Sequence, residues 1–496
     1  MQPAARFLLA LLACGLLSGP ANAAADDLPA DTAAIETLTP EQARRLVFDF
    51  PGVDESFETK SRGTVRWSRC LPLTNLRSLD AATAAALASY FRGAVVLGKL
   101  TTLDADTAAA LARLKADALV APGLTRLDAA AAKALSTFVG SQLELEGLAA
   151  LDADTARALA RFRGGSLSLA GLTRLDADTA RALAGLKVRS LCLGGLTSLD
   201  PRAAEALAGF EGGSLLLNGL TSLDAQTSES LAGRKTAWLD LSGLTRLDAD
   251  AAGPLARNKG GFLLLNGLTA LDAATAKQFA AFTGDLYLDG LTALDADTAR
   301  ALAESRAKIL HLAGLRTIDA DTARALAECR AKVLNLSGLR TLDADTATWL
   351  VRCKQWNGQL PHLATIDGDT ARALAEFAGG QLLLEGLLRL DAAVAAALAS
   401  CRAWDGRLPR LTALDSPDAV AIATSLAGRR GPLALPNLKK VSPKTLSTLL
   451  ENRDVEIPLI ETLELIQEPD GSLTDDFVIP KWLEERQRRQ RAQDGG

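Results

Sequence analysis

Paired carboxylates are the residues of this 496-residue chain with the most chemistry in them. Aspartates stand two apart at Asp104 and Asp106, Asp152 and Asp154, Asp176 and Asp178, Asp248 and Asp250, Asp295 and Asp297, Asp319 and Asp321, Asp343 and Asp345, and Asp367 and Asp369. Such pairs could serve a calcium loop or an acid–base couple. Other candidates are few. The two histidines, His311 and His362, have no cysteine pair at zinc-binding spacing beside them. Residues 93–99 (GAVVLGK) have the outline of a phosphate-binding loop, but Leu100 stands where Ser or Thr must reach magnesium. No GxSxG elbow occurs.

What must position these residues is a repeat. Residues 151–174, LDADTARALARFRGGSLSLAGLTR, are copied along the chain with a leading Asp at 80, 104, 128, 152, 176, 200, 224, 248, 272, 295, 319, 343, 367, 391 and 415. Every interval is 24 residues except that from Asp272 to Asp295, which is 23. Regularity of this kind specifies a solenoid, because one such unit cannot bury its apolar face alone.

Within one unit the ten residues after Asp152 are Ala-rich, with Ala156, Leu159 and Ala160 at the spacing of one helical face. The Asp itself reads as a helix N-cap. Two degenerate end units replace it by Thr39-Pro40 and Ser442-Pro443, and one regular unit has Asp200-Pro201. These residues share a short side-chain oxygen that accepts a backbone N–H, and Pro suits the first helical position. The second Asp then sits at the positive helix end, which favours anions over cations, so capping explains the carboxylate ladder better than calcium does. Gly164 and Gly165 precede the alternating run Ser166-Leu167-Ser168-Leu169, a short strand with Leu167 and Leu169 inward. Gly171 turns the chain toward the next cap.

The strand part, LxLxGLxxL, resembles the leucine-rich repeat, whose pattern is LxxLxLxxN/CxL. The resemblance covers residues 65–465 in a bacterial-type, atypical form. Leu148, Leu172, Leu196 and Leu220 stand where that family carries the Asn or Cys of its buried ladder. The turn then needs other hydrogen-bonding groups, and Thr125, Thr173, Thr197, Thr221, Thr245 and Thr269 are candidates. The resemblance implies an α/β right-handed solenoid with parallel strands on its concave face and short Ala-rich helices on its convex face. Strands stack about 4.8 Å apart while helices need about 8–10 Å, which bends the array in that sense. The family's binding partners are diverse, so the resemblance implies a binding surface without naming a ligand.

Five segments follow. Residues 1–23 read as a signal peptide, with Arg6, an apolar core and Ala21-Asn22-Ala23 as a cleavage site. Leu11-Leu12-Ala13-Cys14 also resembles a lipoprotein box, leaving a lipid anchor at Cys14 as the lesser reading. Residues 24–79 form an N-terminal cap in which 48–64 read as a loop, and 80–441 are the regular array. Residues 442–467 are a degenerate C-terminal repeat and 468–496 a charged tail whose end, from Pro480, reads as a solvated helix. No later stretch has the ~20 apolar residues of a membrane span. The net charge of −5 gives no reason to expect a nucleic-acid partner. The position ten after the Asp collects Tyr90, Phe138, Phe162, Phe210, Phe282 and Phe377 as a buried spine, and Cys329, Cys353 and Cys401 occupy it in other coils. Cys329 and Cys353 lie in adjacent coils, within reach of a disulfide, but buried free thiols are the default. Cys192 falls on the strand surface and is expected to be the reactive thiol. Trp356 and Trp404 stand two residues before Gly358 and Gly406, where each ring would fill the volume of a missing inward Leu.

With no catalytic triad, metal set or cofactor loop in the sequence, the chain is expected to be no enzyme and to need no cofactor. A single surface cluster is a candidate site. Consecutive coils carry Trp238 and Asp240, Phe262 and Leu264, Tyr287 and Asp289, His311, and Asn335 at outward strand positions. Stacked strands would align them over about 20–25 Å, and aromatics gathered on a concave face mark a binding site. The expectation is an exported scaffold, in the periplasm, at the cell surface or outside it, that binds a protein. The alternative is a glycan or cell-wall polysaccharide stacked on Trp238, Phe262 and Tyr287.

Overall fold

The computed structural model describes residues 31–59, 63–234, 236–257, 261–468 and 478–494. The leader, Cys14 and the Asp470-Gly471 turn lie outside them. Every repeat aspartate from Asp80 to Asp391 caps a helix of six to nine residues, its carboxylate accepting the N–H three positions on; in the unit of Asp152 the donor is Thr155 at 2.7 Å. Thr39 forms a reciprocal capping box with Gln42, and Ser442 caps through Thr445. Asp415 is the exception. The helix Ala419–Ala427 starts three residues later and has no side-chain cap, because Ser416 and Pro417 delay the turn. Four of the second carboxylates, those of Asp154, Asp178, Asp297 and Asp369, pair with arginines one turn on, as in Asp178–Arg181 at 2.5 Å and Asp297–Arg300 at 2.6 Å. Among the described residues no group of three or more His, Cys, Asp or Glu converges on a metal-sized site.

Two strands, β1 (Val53–Thr59) and β2 (Gly63–Leu73), open the sheet. Then come one short strand per coil, β3 to β13: Ala94–Leu97, Ala118–Val120, Gln142–Glu144, Ser166–Ser168, Ser190–Cys192, Ser214–Leu216, Trp238–Asp240, Phe262–Leu264, Asp285–Tyr287, Ile309–His311 and Val333–Asn335. They form one thirteen-stranded sheet in chain order, parallel from β2 onward. Each strand thus pairs with the one a single beat away. The inward leucines, Leu167 and Leu169 among them, are fully buried, as are the leucines seven residues after each Asp. The spine aromatics are buried too, and Phe138 lies parallel to Phe162 with ring centres 6.5 Å apart.

Without an Asn ladder, the coils are tied by threonines. Thr125, Thr173 and Thr221 donate to the carbonyls of Thr101, Ala149 and Thr197 in the preceding coil. Thr197, Thr245 and Thr269 make no such bond among the described residues. A second row was not anticipated: in seven coils the buried threonine three after the Asp reaches the carbonyl before the previous cap, as Thr179 does to Leu151 at 3.4 Å and Thr322 to Leu294 at 3.1 Å. Gly171 is required by close approach, since a Cβ there would lie 2.1 Å from the Glu146 carbonyl oxygen of the previous coil.

Four expectations change. Residues 48–64 are not all loop: 53–59 build β1 and 63–64 start β2, paired antiparallel, which shields the open sheet edge. Trp356 and Trp404 do enter the core, but as the inward residues themselves, bridged to Leu334 and Leu382. Gly358 and Gly406 follow because φ there is +71° and +78°. The C-terminal helix Lys481–Asp494 is docked rather than solvated. Leu483 is buried, Arg486 donates to the Val455 carbonyl at 2.8 Å, and Gln487 bonds Pro458 and Ile460. Cys192, finally, is only 1 % exposed and is no reactive surface thiol; Cys329 and Cys353 are free and buried.

Candidate binding surface on the strand face

Each strand of three residues turns its middle residue inward and its two end residues to the open face. Register therefore aligns two outward columns. One runs Ser214, Trp238, Phe262, Asp285, Ile309, Val333, and the other Leu216, Asp240, Leu264, Tyr287, His311, Asn335. From Trp238 to Val333 this spans roughly 20 Å. Trp238 and Phe262 stack with centres 4.7 Å apart, and Tyr287 and His311 at 3.9 Å and 9°. Trp238 also leans across β10, bringing its ring centre within 6.2 Å of that of Tyr287. Apart from Asp285, the patch residues are half-buried rather than sealed.

Of the expected site residues, Trp238, Asp240, Phe262, Leu264, His311 and Asn335 stand where the sequence placed them. So does Tyr287, although in the second column rather than beside Phe262, whereas Asp289 does not. Tyr287 belongs to the column of Leu264, and Asp289 lies beyond the strand in the following turn, where its carboxylate accepts the Ala313 N–H at 2.8 Å. The single 23-residue interval falls between helix and strand, where the helix Ala273–Gln278 is cut short and a 3-10 turn (Phe279–Ala281) closes it. The position beside Phe262 is thus Asp285, which the sequence reading missed. Counting back from the turn glycines Gly267 and Gly290 would have found it.

Asp285 is 5 % exposed, its Oδ1 is sealed, and no hydrogen bond or ion pair reaches its carboxylate among the described residues. Asp240 differs, since its Oδ1 accepts the Ser242 N–H at 2.9 Å. Asn335 gives its carbonyl oxygen to the Ser337 N–H, so its amide nitrogen faces His311 Nδ1 at 3.3 Å as donor. This assigns the imidazole proton to Nε2, an atom buried without a partner. Burial pulls His311 below its ordinary value against the opposing pull of Asp289 and Asp285, which leaves the ring neutral near pH 7. Burial, then Asp285 and Asp289, raise Tyr287.

No family model matches the sequence, and no curated protein matches it either. Solved structures with a similar fold include the LRR protein LIC12759 of Leptospira interrogans, 15% identical over 72% of this chain and 93% of that one, with a TM-score of 0.33. Toll of Drosophila, in its complex with Spatzle, is 14% identical and covers 77% of this chain and 49% of its own, with a TM-score of 0.40. TLR13, bound to ssRNA13, is 16% identical over 77% and 70%, with a TM-score of 0.42. What decides the architecture here is the pairing itself: parallel strands one beat apart, inward leucines, and a capped helix on every return. The fold is a solenoid of leucine-rich-repeat type.

The N-terminal end of this leucine-rich-repeat sheet treats the same face differently. There the outward columns are Ala94, Val96, Ala118 and Val120, all buried. Trp67 and Cys70 of β2 close over them, with Phe57 of β1 packed alongside, as a second apolar cluster separate from the main core. Cys70 donates to the Val53 carbonyl at 3.2 Å, and burial, then Glu55, pushes its thiol up to about 11. His362, the other histidine, is exposed in the turn of the coil that follows the patch.

Proposed function

We propose that this leucine-rich-repeat protein is an exported, non-enzymatic scaffold that binds another protein on the stretch of strand face from β9 to β13. One observation carries the reading. Where the face is apolar at its N-terminal end, the chain covers it with its own hairpin. Where it is apolar and aromatic again, at Trp238, Phe262, Ile309 and Val333, no segment among the described residues lies over it and the side chains stay half-exposed. Clustered aromatics on a rigid surface favour docking of a partner. Export rests on the pattern of residues 1–23, and mass spectrometry of the mature N-terminus tests it.

A protein is favoured over a polysaccharide by the ring geometry. Sugars stack on free ring faces, whereas Trp238 and Phe262, and Tyr287 and His311, turn faces toward each other. The test is a crosslinking pull-down from the native envelope with wild type and with the triple variant Trp238→Ala, Phe262→Ala, Tyr287→Ala. Capture of a protein by wild type and its loss in the triple variant supports the reading. Unchanged capture removes the patch from it, and loss of polysaccharide binding alone moves the reading to a glycan.

A further inference from the structure

Resting on that docking reading, the column geometry narrows the partner's chemistry. Asp285 is the short side chain between Phe262 and Ile309 in a column otherwise holding Trp238 and Val333, so it forms the floor of a notch with apolar walls. A carboxylate so buried without a donor is costly unless something supplies one. The chain supplies none. Asp240 and Asp289 on either side are each committed to a backbone N–H, and the outward positions of β3 to β13 include no lysine or arginine. Lys308 and Lys332 precede β12 and β13 at the helix-to-strand edge, outside the columns.

We propose that the Asp285 notch receives a basic side chain of the partner protein, with its aliphatic stem on Phe262 and Ile309 and its cationic head on the carboxylate. Long basic side chains lie along apolar surface in this way while the charge is held at the tip. Arginine fits better than lysine, because its planar, weakly hydrated guanidinium also stacks on an aromatic face such as that of Phe262. The carboxylate then gains a donor, on its unsealed oxygen, only in the complex, so the contact serves selectivity as well as affinity.

The experiment uses three fluorescein-labelled dodecapeptides on the full chain, alternating serine with arginine, lysine or citrulline, read by fluorescence polarisation. Citrulline keeps the shape of arginine and removes its charge. Arginine is expected to bind tightest, lysine less, and citrulline at least about tenfold more weakly than arginine. Asp285→Asn should weaken the arginine peptide by a similar factor without lowering the unfolding midpoint, since it removes an unpaired buried charge and keeps the shape. Asp178→Asn, on the helix face, makes the same change in net charge and should leave binding unaltered. Equal binding of arginine and citrulline, or equal losses from Asp285→Asn and Asp178→Asn, overturns the proposal. So does a chito-oligosaccharide that binds where none of the peptides does. If the aromatic triple variant loses its captured protein while Asp285→Asn retains it, the docking reading stands and the basic contact falls.

Discussion

The two apolar regions of the strand face, the hairpin-covered coils at β3 and β4 and the open coils from β9 to β13, are built on one backbone and differ in what covers them. At the first, Ala94, Val96, Ala118 and Val120 are small, and Trp67 seals them from above. At the second, the coils themselves carry the large rings, and the polar groups among them are left unsatisfied at Asp285 Oδ1 and His311 Nε2. Closure serves stability, and on the proposed reading openness serves recognition. The difference teaches that an outward column in this repeat is neutral ground, which becomes core or surface according to whether another segment meets it.

The largest effect should come from breaking the closed region. Trp67→Ala removes a buried indole and is expected to cost about 3–5 kcal/mol in the stability of the N-terminal coils. Two readouts check it: a lowered unfolding midpoint and faster alkylation of Cys70, which is fully buried within the hairpin in the native chain. Trp238→Ala with Phe262→Ala should invert the pattern. Partner capture falls by about tenfold or more, as for the loss of central aromatic anchors, while the midpoint moves by less than Trp67→Ala moves it. If the open-region pair proves the more destabilising, the two regions are not the opposites described here.

How much of this was legible in the sequence depends on what repeats. The caps, the inward leucines and the buried spine were readable because fifteen aspartates superpose them, and all but the copy at Asp415 obey the same hydrogen-bonding logic. The hairpin was not, because β1 and β2 occur once, and Pro51 and Gly52 before them read as loop residues. Their alternation, with Phe57 and Trp67 on the covering side, has meaning only when the face they cover is known. Asp285 was lost to the one irregular interval. A count running forward from an Asp fails there, whereas the turn glycine keeps register, since its contact with the previous coil leaves no room for slippage. The docked C-terminal helix, rich in charge, hid its contacts because arginine can bond main-chain carbonyls as readily as solvent, as Arg486 does at Val455.

A smaller effect tests whether the scaffold beneath both regions is uniform. Asp176→Ala should cost about 1 kcal/mol through the lost cap, whereas Asp178→Ala, an exposed partner of Arg181, should cost a few tenths at most. Bonds from the Thr179 N–H and hydroxyl hold the Asp176 carboxyl below its ordinary value of 3.8, and most repeat caps behave alike. A depressed carboxyl stabilises the fold above its unfolded value and ceases to do so as pH falls through the folded one. Acid unfolding should therefore set in below about pH 4. Asp176→Asn should keep the cap and lose that part of the pH dependence, measured by circular dichroism across an acid titration.

The subtlest prediction separates the regions by pH, because only the open one holds a histidine. Facing His311 are Tyr287 on β11, Asn335 on β13, and the carboxylates of Asp285 and Asp289. Its depressed value means that protons bind more readily to the unfolded chain, so folding stability declines as pH falls below the ordinary 6.5 toward the folded value. Protonation in the folded state would place a positive charge beside the Asp285 notch and oppose a basic partner. Arginine-peptide affinity should accordingly be flat from pH 8 to 7 and weaken by about threefold at the acid end of the histidine range. His311→Gln, which retains a hydrogen-bonding group without the titration, should flatten the profile, whereas Trp67→Ala should leave its shape unchanged. A wild-type affinity that rises on acidification would mean that the notch prefers an anion, and the charge assignment of the open region would be reversed.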